Sequence, residues 1–418
     1  MKTDILLYAA STAFNKGAVL LFFPLLTQFL SLPDFGIWSL VIVISNLLVP
    51  IVMLNGSAAI LREGSEDQVK GAKILQNFVI ITILLSGGAY FTGKALSLDD
   101  WFLYAIAISS AEAVSQLALT FIRVQEKVKL YFLLNLLKML SLLGLIIYAK
   151  KMEFDLYLLL YYHFYIVIIF ATISIILQYK NYTSINIDFN PVLLFSLALI
   201  PHGASQWIMS SSDRLILKYV LGVDSVGVYS LAYNIALILA LLNSGLSMAL
   251  PTYMIKNYNK WKESDFDNKF ISYYTYVSIL TLIPIVSLYI IDFKFFGFLG
   301  YYENEMLPLI FVLYFSIYIL GLYCFFANYL FYHKKAGIIS KITFSAAFLN
   351  IFFTFFLIKY FGVIGAALGT FFAYIYYLLM TRHQAEKIDR SISISLTKPI
   401  IVFSFFLCLI YIGADNAM

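Results

Sequence analysis

The sequence predicts an all-α polytopic membrane protein, and three observations carry that fold class. Hydrophobic residues fill 62% of the 418 positions, charged residues only 12%, and mean hydropathy is +0.87; a soluble chain holds roughly 45–50% apolar and about 25% charged residues. Uncharged runs of ~20 residues, the length a helix needs to cross hydrocarbon, recur along the whole chain. Runs such as 271–291 (ISYYTYVSILTLIPIVSLYII) are apolar on every side, unlike barrel strands with their alternating faces.

In chain order, spans are expected near 5–30, 36–61, 73–93, 101–121, 130–149, 155–178, 192–221, 225–250, 271–291, 307–331, 337–359, 363–381 and 398–414. The last is set apart because an even plan of twelve ends before it. The first span contains Asn15 and Lys16 and is too long for a cleaved signal, so it is expected to be retained. With the N-terminus cytoplasmic, nineteen of the 28 Lys and Arg fall on inner segments. Five (Lys94, Lys150, Lys151, Lys294, Lys359) fall outside, and four (Lys16, Lys138, Arg214, Lys218) within spans. Because cytoplasmic loops keep the positive charge, the N-terminus is expected inside. The net charge of +5 then reports topology and contact with anionic lipid, not nucleic acid. Cys324 and Cys408 both lie in apolar runs, which indicates no disulfide framework.

The longest connections, near 179–191, 256–270 and 292–306, are too short for a further domain. No phosphate-binding Gly-rich loop with Lys, no G-x-S-x-G and no H-E-x-x-H occurs, and the histidines are scattered at 163, 202, 333 and 383. ATP hydrolysis, metal chemistry and nucleophilic catalysis therefore find no support. Asp265 and Asp267 form an acidic pair in a loop too short to supply a nucleotide fold. Gly362, Gly365 and Gly369 read as small residues packing an apolar helix against its neighbours.

Charge within the spans is the most informative signal. Lys16, Glu112, Lys138, Asp213, Arg214 and Lys218 each cost roughly 2.5–3.5 kcal/mol at a helix centre, so they are expected to pair or to face a hydrated interior. Four are basic and two acidic, an excess that suits an anionic ligand. In the seventh span His202, Gln206, Ser210, Asp213/Arg214 and Lys218 recur at helical spacing; in the fourth, Ser109, Glu112, Gln116 and Thr120 lead to Arg123. Both stripes are expected to line the bundle interior, with hydrogen bonding between helices as the simpler alternative for their uncharged members. Lys218 near a helix end also fits a snorkelling lysine, and His202 beside Pro201 fits either packing or titration.

Phe29–Leu40 (FLSLPDFGIWSL) aligns with Val220–Leu231 (VLGVDSVGVYSL), and a weaker echo, YFGVIG, begins at Tyr360. Six spans separate the first two copies, so both start on the same side of the membrane, as in transporters built from like-oriented halves.

The segments Phe23–Leu40 and Asp213–Ile235 (DRLILKYVLGVDSVGVYSLAYNI) resemble the two signature regions of the Wzx-type O-antigen flippases, within the multidrug/oligosaccharidyl-lipid/polysaccharide exporter (MOP) superfamily. The resemblance implies two parallel six-helix lobes, 1–185 and 186–385, around a central cavity with alternating access. A linker and extra helix would follow at 386–418. It also implies an inner-membrane transporter, not an enzyme, that moves undecaprenyl-pyrophosphate-linked oligosaccharide to the outer leaflet. Coupling would be to protons, sodium or membrane potential, and polysaccharide polymerase machinery would be a partner of a monomer. Basic side chains would hold the pyrophosphate, arginine best because its fork grips two oxygens. The ranking is Arg214, Lys16, Lys138, then Arg62, a cavity-lining arginine by the resemblance, and Lys218. Asp213, Glu112 and His202 are candidates for charge balance or ion coupling. Two alternatives stay in view: a cation-coupled multidrug antiporter of the same superfamily, for which Glu112 would be the carboxylate, and a polysaccharide polymerase or ligase, which would want a larger outer loop.

Overall fold

A computed structural model describes residues 22–179, 183–263, 266–291, 303–388, 396–397, 399–405 and 408. Every regular element among them is a helix, and nine of the described helices are long and apolar enough to cross a membrane. The chain is a multi-pass helical membrane protein. It divides into two compact units, Met1–Trp207 and Ile208–Met418, a division that falls within a helix.

In the first unit, α1 (Leu32–Val52) starts at Ser31, whose hydroxyl accepts a hydrogen bond from the Asp34 amide at 3.3 Å. Pro33 stands in the first turn, where its missing N–H has no intrahelical partner to lose. The single span expected over 36–61 is two helices. The backbone turns into the left-handed region at Leu54 and Asn55 (φ 46° and 53°), and α2 (Gly56–Glu66) follows. Pro50 has already removed a donor from the end of α1, and asparagine tolerates the left-handed conformation better than most residues.

Asp67 caps α3 (Gln68–Ala95) by accepting from the amides of Val69 and Lys70 at 2.8 and 3.1 Å. The unit is completed by α4 (Asp100–Val124), α5 (Val128–Lys151) and α6 (Leu156–Ile176). α4 packs against α1, α2, α3 and α6, and its small residues, such as Ala105, Ala111, Ala113 and Ala118, are buried. Close approach of small residues is the usual way helices associate in lipid, where apolar burial gives little drive. α7 (Asn190–Leu221) begins against this unit, where Val192 joins a core with Ile60, Phe78 and Phe121.

The second unit holds the end of α7, α8 (Val223–Glu263), α9 (Phe266–Ile291), α10 (Glu303–Tyr332) and α11 (Ala336–Ile388). α10 packs on both α8 and α11. The loop expected at 256–270 is mostly helix; its four lysines have good helix propensity. The spans expected at 337–359 and 363–381 form the two arms of α11, broken only at Gly362 (φ 57°, ψ −136°), a conformation open essentially to glycine alone. Gly362 is thus a turn residue, not a helix-packing one. Gly369 does pack the arms: a Cβ there would lie 2.6 Å from Thr354 Cα. The C-terminal span expected at 398–414 is described chiefly at 399–405, where Phe403 is buried and stacks on Tyr318 at 4.0 Å. Its remainder, and most of the first span, lie outside the described residues.

The repeat has a structural counterpart in each unit. Ser31 and Gly222 are each the residue just before a helix, α1 and α8. The aligned pairs Phe35/Val226, Trp38/Tyr229 and Leu40/Leu231 are buried in both copies.

Candidate functional site

Ionisable side chains gather inside the spans at one place in each unit. In the first unit a cavity of about 590 Å³ is walled by α1, α4, α5 and α6. Glu112, Gln116, Thr120 and Arg123 of α4 all line it, as their spacing predicts. Ser109, the head of that stripe, is buried and donates to the Ile106 carbonyl at 2.8 Å.

Lys138 reaches across from α5 and donates to both Glu112 oxygens, at 2.8 and 3.0 Å. The two side chains keep 13% and 27% of their surface exposed. The pair therefore stays in reach of a ligand or water in the cavity. Tyr131 and Asn135 share the Lys138 face of α5, and the Arg123 guanidinium lies 5.8 Å from the Tyr131 ring centre. His163 of α6 completes the wall, its ring edge-on to Trp38 at 5.6 Å. Among the described lining residues, two basic side chains, Lys138 and Arg123, face a single carboxylate, Glu112, so basic groups outnumber acidic ones on the cavity walls.

Tyr131, Asn135 and His163, together with Asn46 of α1, are absent from the sequence-based candidates. Helical spacing back from Lys138 would have found the first two. His163 and Asn46 carry no comparable pattern.

The second gathering is Asp213 and Arg214 on α7, 1% and 4% exposed. Arg214 NH1 lies 3.7 Å from Asp213 Oδ1, its Nε donates to Ser230 Oγ at 3.3 Å, and its guanidinium sits 4.2 Å from the Tyr233 ring centre. Tyr229 donates its hydroxyl to Asp213 Oδ2. One residue earlier, Ser212 donates to Asn350 Oδ1 of α11 at 3.1 Å. These partners close around the pair and tie α7 to α8 and α11.

The remaining candidates stand apart. Lys218 is half-buried in the last turn of α7, and His202 and Gln206 are exposed. Arg62, expected at the inner end of the second span, sits on the separate helix α2. Its side chain is 58% exposed, stacks on Phe195 at 4.5 Å and lines a small pocket with Glu63, Lys70 and Asp188. Lys16 lies outside the described residues. Among the described residues, no group of three His, Cys, Asp or Glu is placed to hold a metal ion.

A profile of the polysaccharide biosynthesis protein family matches residues 1–252, more than half of the chain. The chain belongs to that family. Its fold is that of the MOP transporters. It superimposes on the lipid II flippase MurJ in an inward closed conformation with a TM-score of 0.70, at 14% identity over 98% of each chain. An inward-facing multidrug resistance MATE transporter of the MOP superfamily gives a TM-score of 0.64 at 13% identity, over 91% of this chain and 96% of that one. A MOP transporter from Pyrococcus furiosus, described by the reverse polarity of its binding pocket, gives 0.58 at 14% identity, over 93% and 96%. No curated sequence relative matches the chain.

Proposed function

We propose that this family member is a flippase that carries a lipid-linked oligosaccharide of the undecaprenyl-pyrophosphate type across the inner membrane by alternating access, with its N-terminus cytoplasmic. The observation that carries this is the cavity of the first unit: a membrane-embedded, polar-lined space with Lys138 and Arg123 against Glu112. A pyrophosphate bears charge that hydrocarbon will not accept, and a wet basic cavity offers it charge-assisted hydrogen bonds. Gln116, Asn135 and Thr120 supply neutral donors and acceptors suited to sugar hydroxyls. Within this scheme Arg214, ranked first on sequence, holds α7 in its unit instead of meeting the ligand, and Lys138 takes the leading place.

Lys138 also bears on the antiporter alternative. Both Glu112 oxygens accept hydrogen bonds from its ammonium group, so the carboxylate is already neutralised by the chain itself and offers little to a cationic drug.

Deletion of the gene in its host, complemented with Lys138→Met, tests the function. We expect loss of surface polysaccharide, single finished units trapped on the cytoplasmic leaflet, and normal amounts of protein in the membrane. Normal polysaccharide from that variant would reject the proposed role of the cavity. Finished units reaching the outer leaflet unpolymerised would point to a polymerase.

A further inference from the structure

On the face of α4 opposite the charged cavity lies a larger groove, about 930 Å³ in volume, formed with α3 and α6. Its walls are Val79 and Ile83 of α3, Leu103 and Val114 of α4, and Phe164 and Ile168 of α6. Small residues, Gly87, Ala107, Ser110 and Ala111, deepen it, and a Cβ added at Gly87 would meet open space. Five tyrosines run along it, two of them, Tyr161 and Tyr165, with ring centres 4.6 Å apart. Asp100 at one end is the charged residue among the described lining, so the groove repels a phosphate and accepts hydrocarbon.

Its length selects among hydrocarbons. Tyr157 and Ile175, both lining residues of α6, are eighteen residues apart, about 27 Å at ~1.5 Å per residue. The hydrocarbon core is ~30 Å thick, so the groove passes the bilayer midplane. The acyl chain of an ordinary phospholipid ends near that midplane and fills half of it. A polyisoprenoid chain is long enough to fill it all, and its methyl-branched units pack on tyrosine faces. From this we propose that the groove binds the polyisoprenoid tail of the carrier lipid, a site distinct from the cavity that meets the charged head. The inference rests on the flippase reading for the identity of the carrier.

The test uses the full chain in phosphatidylcholine nanodiscs containing undecaprenyl phosphate, with the photo-reactive residue p-benzoylphenylalanine placed at Ile168 or, as a control, at Ile147. Ile147 is exposed on α5 and does not line the groove. We expect a polyisoprenoid adduct at 168 and little at 147. Gly87→Phe, which directs a ring into the open space, should lower the adduct at 168 by about tenfold in protein that stays monodisperse. Phospholipid adducts alone, equal adducts at both positions, or a protein–protein adduct of twice the mass would each overturn the groove assignment. Lys138→Met separates the two readings. Its adduct at 168 should persist while export is lost; export lost with no adduct at 168 in any form of the protein rejects the groove alone, and an adduct at 168 with export intact rejects the cavity alone.

Discussion

Arg214 and Lys138 meet the cost of charge in the membrane in different ways, and that difference predicts how each responds to mutation. Asp213→Asn leaves Arg214 without its anion in a closed site, a change that costs on the order of 3–5 kcal/mol. The expected readout is a lower melting temperature and loss of monodisperse protein after extraction; a variant of unchanged yield and melting temperature would mean the pair is not structural. Lys138 and Glu112 sit at the rim of a cavity, so the exchange Glu112→Lys with Lys138→Glu should keep the pair and the fold. If Lys138 serves only as an anchor, export returns with the exchange. If its ammonium holds the ligand from α5, export stays at least about tenfold down. The sequence made these ions legible because charge at depth is rare and expensive. It could not say which of them faces a cavity, because that depends on Ser230 and Tyr233 of α8 closing over Arg214, residues sixteen and nineteen positions further along the chain. His163 is missed for a simpler reason: neutral imidazole has no comparable cost.

At the scale of helices, hydropathy located the spans and misjudged their breaks. Residues 36–61 are continuously apolar enough to read as one helix, yet the turn at Leu54–Asn55 is a matter of φ, which a hydropathy window does not sense. Gly362 and Gly369 show the same limit from the other direction. Both are glycines in an apolar run, but one serves its positive φ and the other the approach of a neighbouring backbone. Gly369→Val drives its side chain into the Thr354 backbone, and overpacking of this kind costs about 1–3 kcal/mol. We expect a reduced melting temperature for Gly369→Val with little change for Gly337→Ala, where an added Cβ meets nothing. Equal melting of the two variants would show that the arms of α11 do not touch as closely as described.

For the whole molecule, the helical class followed from composition, and the repeat at Ser31 and Gly222 marked a helix start in each of two units that composition alone does not distinguish. Orientation is the property that depends on the entire chain. Lys and Arg gather around alternate connections, including Lys127 with Arg123 and Lys129 at the adjoining ends of α4 and α5, and Lys334 and Lys335 between α10 and α11. The proposed orientation, with the N-terminus cytoplasmic, puts these connections inside, as retention of cationic loops in the cytoplasm requires. Lys150 and Lys151, at the end of α5, fall on the opposite side and are the main local exception. Long lysine stems can extend along a helix end toward the headgroups, and anionic headgroups there lower the cost of the exception without reversing the bias of the rest. In a variant in which Cys324 and Cys408 are changed to Ser, a cysteine placed by Lys127→Cys should react with a membrane-impermeant maleimide only after the inner membrane is opened, and one placed by Met152→Cys should react in spheroplasts. The reverse pattern would invert the whole chain and, with it, the direction of the proposed transport.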